Sequence, residues 1–144
     1  MPVASLKMGH GERILVVDDD RAMLEALETL LMGSGFEVEL ADDAFEAFSR
    51  LQVNAAANKK IDLLVADYRM PVTDGLSLIK RSRQLRTDLP AILMTGCREP
   101  AIEKEIHSLG GCEYLEKPFS HKKFLKVISQ LLTGSNEKNK SSAH

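Results

Sequence analysis

The chain has 144 residues, the size of one ordinary domain, and 44% of them are apolar, enough for a core and too many for global disorder. A net charge of -2 gives no electrostatic reason to expect nucleic acid as a direct ligand. Cys97 and Cys112, with no CxxC spacing, argue against a disulfide scaffold or zinc site and for reduced thiols in a cytoplasmic protein. Met1 to Glu12 lacks the apolar run of a signal peptide, and no stretch approaches the ~18 apolar residues of a membrane span.

Residues 1–11 form a short, mixed segment that reads as a flexible lead-in, so the folded part is expected over 12–132. Ile14 to Val17 is a buried strand that stops at three aspartates. Met23, Leu24, Leu27, Leu30 and Leu31 then follow helical spacing, with Asp20 as cap and Gly33 and Gly35 as stop signals. Glu37 to Ala41 alternates like a strand. Asp43 and Glu46 have capping-box spacing before a helix through Phe45, Phe48 and Leu51.

Ile61 to Ala66 is a second strongly apolar run, ending at Asp67. Asp74 and Gly75 start a helix through Leu76, Ile79 and Ser82, and Lys80, Arg81, Arg83 and Arg86 read as its solvated face. Ala91 to Met94 is a strand ending at Thr95. Pro100 suits the first turn of a helix that reaches Leu109 and stops at Gly110 and Gly111. Tyr114 and Leu115 form a last short strand before Lys117 and Pro118. Ser120 caps a final helix with Phe124, Leu125, Ile128, Leu131 and Leu132 inward. His107 and His121 read as surface residues. Residues 133–144 are polar and aperiodic, and read as a tail or linker stub.

Five strand–helix units with continuous apolar strands predict a parallel sheet covered on both faces. Right-handed crossovers favour a doubly wound α/β fold, whose ligands sit at the carboxyl ends of the strands. Asp18, Asp19, Asp20, Asp67 and Thr95 all stand at strand ends, and Lys117 follows the last one.

Carboxylates ~4 Å apart repel by roughly 4 kcal/mol at an effective dielectric of 20, so such a cluster needs cations or protons. Oxygen-only ligands suit a hard divalent ion, and Mg²⁺ accepts few protein ligands with several waters. Asp20 has a competing role as a helix cap. Asp67 can act as a nucleophile and form an aspartyl phosphate, provided the phosphoryl oxygens are neutralised. The Thr95 hydroxyl and the Lys117 ammonium suit that need. No Ser-His-Asp or Cys-His arrangement is evident.

The motifs ILVVDDD, LLVADYRMPVTDG, ILMTG and EYLEKPF, in this order, resemble response-regulator receiver domains over about Glu12 to Leu132. The resemblance implies a flavodoxin-like fold: a five-stranded parallel sheet in the order 2-1-3-4-5, flanked by five helices. It implies that Asp67 is the phosphoacceptor, Asp19 a direct Mg²⁺ ligand and Asp18 a ligand through water. The backbone carbonyl of Arg69 would complete the metal site. Thr95 matches the switch hydroxyl, Lys117 the phosphate-binding lysine and Tyr114 the aromatic switch; the competing reading of Tyr114 is a half-buried edge-strand aromatic. Arg69 and Cys97 match positions that flank the phosphoryl group and tune its lifetime. Gly96 stands where alanine is commoner and leaves space there.

The implied partners are a sensor histidine kinase or histidine phosphotransfer domain as donor, and a downstream protein target. Transfer and autodephosphorylation are self-catalysed, with no further enzymatic activity expected. The read-out surface is the fourth helix, fifth strand and fifth helix, approximately Pro100 to Leu132, which also offers a homodimer face. The chain leaves no room after Leu132 for an output domain. That predicts a stand-alone receiver or a piece of a larger regulator or hybrid kinase.

Two other readings compete. A haloacid-dehalogenase-like phosphatase would use the Asp18–Asp20 spacing, but no acidic pair follows Lys117 and Asp67 would be unexplained. A receiver fold that only docks partners would not need the full set of Asp18, Asp19, Asp67, Thr95 and Lys117.

Overall fold

A computed structural model describes the backbone of residues 8–142 and the side chains of 8–134. The strands are β1 Arg13–Val17, β2 Glu37–Ala41, β3 Leu63–Asp67, β4 Ala91–Thr95 and β5 Cys112–Glu116. The helices are α1 Arg21–Gly33, α2 Ala44–Ala56, α3 Gly75–Leu85, α4 Pro100–Ser108 and α5 His121–Ser142. All strand pairs are parallel and the order is β2-β1-β3-β4-β5, as the resemblance implies.

Alternation along the strands feeds two cores. Leu15, Val17, Leu64, Ala66 and Leu93 face one way and meet Ala47 and Leu51 of α2, Ile79 of α3 and Ile106 of α4. Ile14, Val16, Leu63, Val65, Ile92 and Met94 face the other way and meet Leu24, Leu27 and Leu31 of α1 and Phe124 and Ile128 of α5. The central strands are buried on both faces, which explains why they read as unbroken apolar runs.

Short polar side chains start the helices. Asp20 accepts from the Ala22 amide at 3.0 Å, Asp74 from Ser77 at 2.8 Å and the Ser120 hydroxyl from Lys123 at 3.0 Å. Each such cap contributes about 1 kcal/mol. Asp43 accepts from Glu46 at 2.7 Å, and the Glu46 carboxylate accepts from the Asp42 amide at 3.0 Å. The return arm of that capping box therefore lands one residue ahead of the cap.

Four local readings change. β3 begins at Leu63 rather than Ile61: Ile61 is buried, but Asp62 exchanges bonds with Arg13 through its backbone amide and its carboxylate before strand pairing starts. Of the lead-in, Met8–Gly11 lies against the end of α1: the Gly9 amide donates to the Ser34 carbonyl at 2.8 Å and Gly11 to Gly35 at 3.0 Å. Residues 1–7 fall outside the described part. α5 continues past Leu132 to Ser142. Finally, the cationic face of α3 is only partly solvated. Arg83 donates to the carbonyls of Leu89, Leu109 and Gly110 at 2.5, 3.1 and 2.5 Å, and Arg86 donates to the Ile61 carbonyl. Arg81 instead stacks over Phe48 at 4.3 Å.

Candidate functional site

The sheet order puts β1 between β2 and β3, so the loop after β1 and the end of β3 are neighbours. Asp18, Asp19 and Asp67 thereby converge, each offering a carboxylate oxygen within 4.8 Å of the others. Asp18 is 1% exposed and Asp67 8%, while Asp19 is exposed. Lys117, in the loop after β5, places its Nζ 2.9 Å from Asp18 Oδ2 and 3.0 Å from Asp67 Oδ1. The other oxygen of Asp18 accepts from the Asp20 amide at 2.9 Å, which fixes the carboxylate. Asp20 itself caps α1 and stays outside the cluster.

Burial pushes the Asp67 carboxyl above its ordinary range; the Lys117 hydrogen bond opposes this, and the charge of Asp18 adds to it. Burial pulls the Lys117 ammonium down, but the bonds to Asp18 and Asp67 outweigh it and hold the group above its usual value. Three carboxylates thus cluster around one ammonium, which pairs with two of them. An oxygen-only donor set with surplus negative charge fits a hard divalent ion such as Mg²⁺.

Thr95 ends β4 beside this cluster and is 1% exposed. Its hydroxyl donates to the Cys97 carbonyl at 3.0 Å and accepts from the Cys97 amide at 3.2 Å, so it is held by the loop after β4 rather than by Asp67. Cys97 contributes its backbone to that arrangement, and its side chain is exposed. A Cβ at Gly96 would meet nothing within 4 Å, so the space beside Thr95 is open.

The Tyr114 hydroxyl accepts from the Glu99 amide at 2.8 Å. The Arg69 side chain is 67% exposed and pairs with Glu99 at 3.0 Å. Arg69 therefore points its charge at α4, not at the three carboxylates. Glu99 went unrecognised from sequence alone. Its signal was its place immediately before Pro100, the N-cap position, where a glutamate is an uncommon choice.

Fold and site together define a doubly wound α/β domain with an acidic, lysine-bridged centre at its strand ends. Comparison with known proteins narrows that class. The family model for the response regulator receiver domain matches residues 14–129. The transcriptional regulatory protein FixJ of Bradyrhizobium diazoefficiens is 36% identical over 94% of this chain and 62% of its own length. The response regulator MprA of a Mycobacterium species is 38% identical over 83% of this chain and 50% of its own. The chain thus spans about half to three-fifths of these relatives.

Among solved structures, a CheY-like receiver domain from Methanospirillum hungatei superposes with a TM-score of 0.80 at 27% identity, covering 89% of this chain and 98% of that one. The HemR receiver domain of Leptospira biflexa gives 0.75 at 30% identity, covering 84% and 94%. The chain belongs to the response regulator receiver domain family of two-component signalling.

Proposed function

We propose that Asp67 accepts a phosphoryl group from a phosphohistidine of a sensor histidine kinase or histidine phosphotransfer domain. The observation that carries this is the convergence of Asp18, Asp19 and Asp67 within 4.8 Å, with Lys117 bridging two of them. An Asp67 oxygen attacks phosphorus, the phosphorus–nitrogen bond of the donor breaks, and the imidazole keeps the electron pair. Lys117 already touches the nucleophile and neutralises charge gathering on the phosphoryl oxygens. Asp18 holds Lys117 in place from its other side. The Thr95 hydroxyl exchanges its Cys97 bonds for a phosphoryl oxygen and so reports the modification to the loop after β4.

Asp18, Asp19 and Asp67, with the Arg69 backbone carbonyl, would hold Mg²⁺. When bound, the ion supplies further neutralisation of the transferring group. Tyr114 follows Thr95, and the α4-β5-α5 surface changes for a protein target, a phosphorelay partner or a second copy of the chain. Arg69 and Cys97 set the phosphoryl lifetime. The working unit is residues 12–132, within which the family match falls. Among the described residues no helix is long and apolar enough to cross a membrane, and a cytoplasmic location suits the phosphodonor.

Incubation with Mg²⁺ and acetyl phosphate, read by intact mass, tests this. One added phosphoryl mass on the wild type and none on Asp67→Asn is the expected result. A wild type that gains nothing sinks the proposal. The name of the FixJ relative favours a second reading of the output, in which the signal ends at DNA. A salt-sensitive mobility shift of duplex DNA by the phosphorylated chain itself would support direct contact.

A further inference from the structure

Arg69, two residues past Asp67, lies in the loop after β3, whereas Glu99 lies in the loop after β4. Their ion pair spans the two loops, Nη2 to Oε2 at 3.0 Å. Glu99 is also the N-cap of α4, and its side chain makes no capping bond there. Its backbone carbonyl accepts from Ile102 and Glu103, each at 3.0 Å, and its amide donates to the Tyr114 hydroxyl at 2.8 Å. One residue therefore links Arg69, the start of α4 and the aromatic of β5. The carboxylate that would ordinarily serve the exposed amides of the first turn is committed to Arg69 instead.

We propose that Glu99 is a positioning residue of the phosphoryl switch: its carboxylate keeps Arg69 at α4 while its amide holds Tyr114, and an aspartyl phosphate that draws Arg69 away loosens both. This rests on Asp67 being the phosphoacceptor. The competition is balanced well enough to switch. The pair is exposed, Arg69 at 67% and Glu99 at 35%, so it is weak and screened by salt. A phosphoryl dianion is a stronger partner for a guanidinium than a single carboxylate. Once free, the Glu99 carboxylate can turn to the first-turn amides of α4, which shifts the amide that Tyr114 now contacts. In the unphosphorylated state the pair also holds Arg69 back, so the guanidinium is not waiting at the site.

The test uses the wild type, Glu99→Gln, Arg69→Gln and the double variant. Two readouts apply: the aspartyl-phosphate half-life by intact mass after acetyl phosphate is removed, and the ¹⁹F signal of Tyr114 in fluorotyrosine-labelled protein. Glu99→Gln is expected to lengthen the half-life about two- to fivefold, the range an exposed ion pair can supply. It should also move the unphosphorylated Tyr114 signal toward its phosphorylated position. Both effects should vanish in the Arg69→Gln background and shrink in ~1 M salt. Equal half-lives for Glu99→Gln and wild type, or an effect of the same size in both backgrounds, overturns the proposal. A wild type that takes up no phosphoryl group overturns the Asp67 reading instead. The Tyr114 signal of unphosphorylated Glu99→Gln then still decides the link, and an unmoved signal sinks it.

Discussion

Gly75 stands directly against Asp67: a Cβ at Gly75 would lie 2.3 Å from the Asp67 backbone carbonyl oxygen and 2.8 Å from Leu93 Cδ1. The first turn of α3 is thus packed on the end of β3, and Asp74, which caps that turn, places it there. The Asp74–Gly75 pair starts a helix and sets the backbone beneath Asp67 at the same time.

Gly75→Ala should therefore cost about 1–3 kcal/mol, because the added methyl meets backbone rather than a side-chain tip. Urea denaturation measures it. A midpoint unchanged from wild type would mean that the contact relaxes without cost. Phosphoryl uptake should fall as well, since relief of the clash moves Asp67.

Asp67→Asn should stabilise the metal-free protein at neutral pH. Burial raises the Asp67 carboxyl in the folded state, so the folded chain holds that proton more tightly than the unfolded chain does. Stability is lost as pH rises from the ordinary carboxylate range through the raised value. The variant escapes that loss and melts at a higher temperature at neutral pH, and the gain should disappear below the ordinary carboxylate range. Melts in chelator across pH check this; a pH-independent difference contradicts it.

Lys117→Ala leaves two carboxylates without their shared cation, one of them 1% exposed. A loss of about 2–4 kcal/mol follows in chelator, somewhat below a fully buried pair because Lys117 keeps some solvent contact. Adding Mg²⁺ should recover part of it by binding the folded state. The held-up ammonium pKa means the wild-type contribution persists through neutral pH and fades only as pH rises through that raised value. Denaturant midpoints with and without Mg²⁺ test both statements.

Arg83→Met should destabilise by about 1–3 kcal/mol while leaving phosphoryl uptake intact, because its three carbonyl acceptors lie far from the strand-end site. Parallel measurement of melting temperature and added mass separates the two. Lost uptake at normal stability would contradict this.

That last residue also shows where sequence reading reaches its limit. β1, β3 and β4 are readable because their apolar runs stop at Asp18, Asp67 and Thr95, and the fold brings those ends together. β5 reads only as Tyr114 and Leu115, because an edge strand of five residues with Glu113 and Glu116 carries little apolar signal. Arg83 looks solvated by spacing, yet long side chains fold back onto carbonyls that no local pattern announces. α5 outruns its apolar stripe because a helix, once nucleated, propagates at one hydrogen bond per residue. The Arg69–Glu99 pair joins positions 30 apart through two loops, and loop geometry has no periodicity to read.

Lys117 and Asp18 are 99 residues apart in the chain, and they touch only when the last strand is in place. During synthesis the acidic loop after β1 leaves the ribosome early and the lysine late. A growing chain therefore carries the acidic pair of that loop without this cation until the lysine, 99 residues further on, has been made. The acidic centre is thus completed only with the sheet itself, and no partly made chain carries it whole.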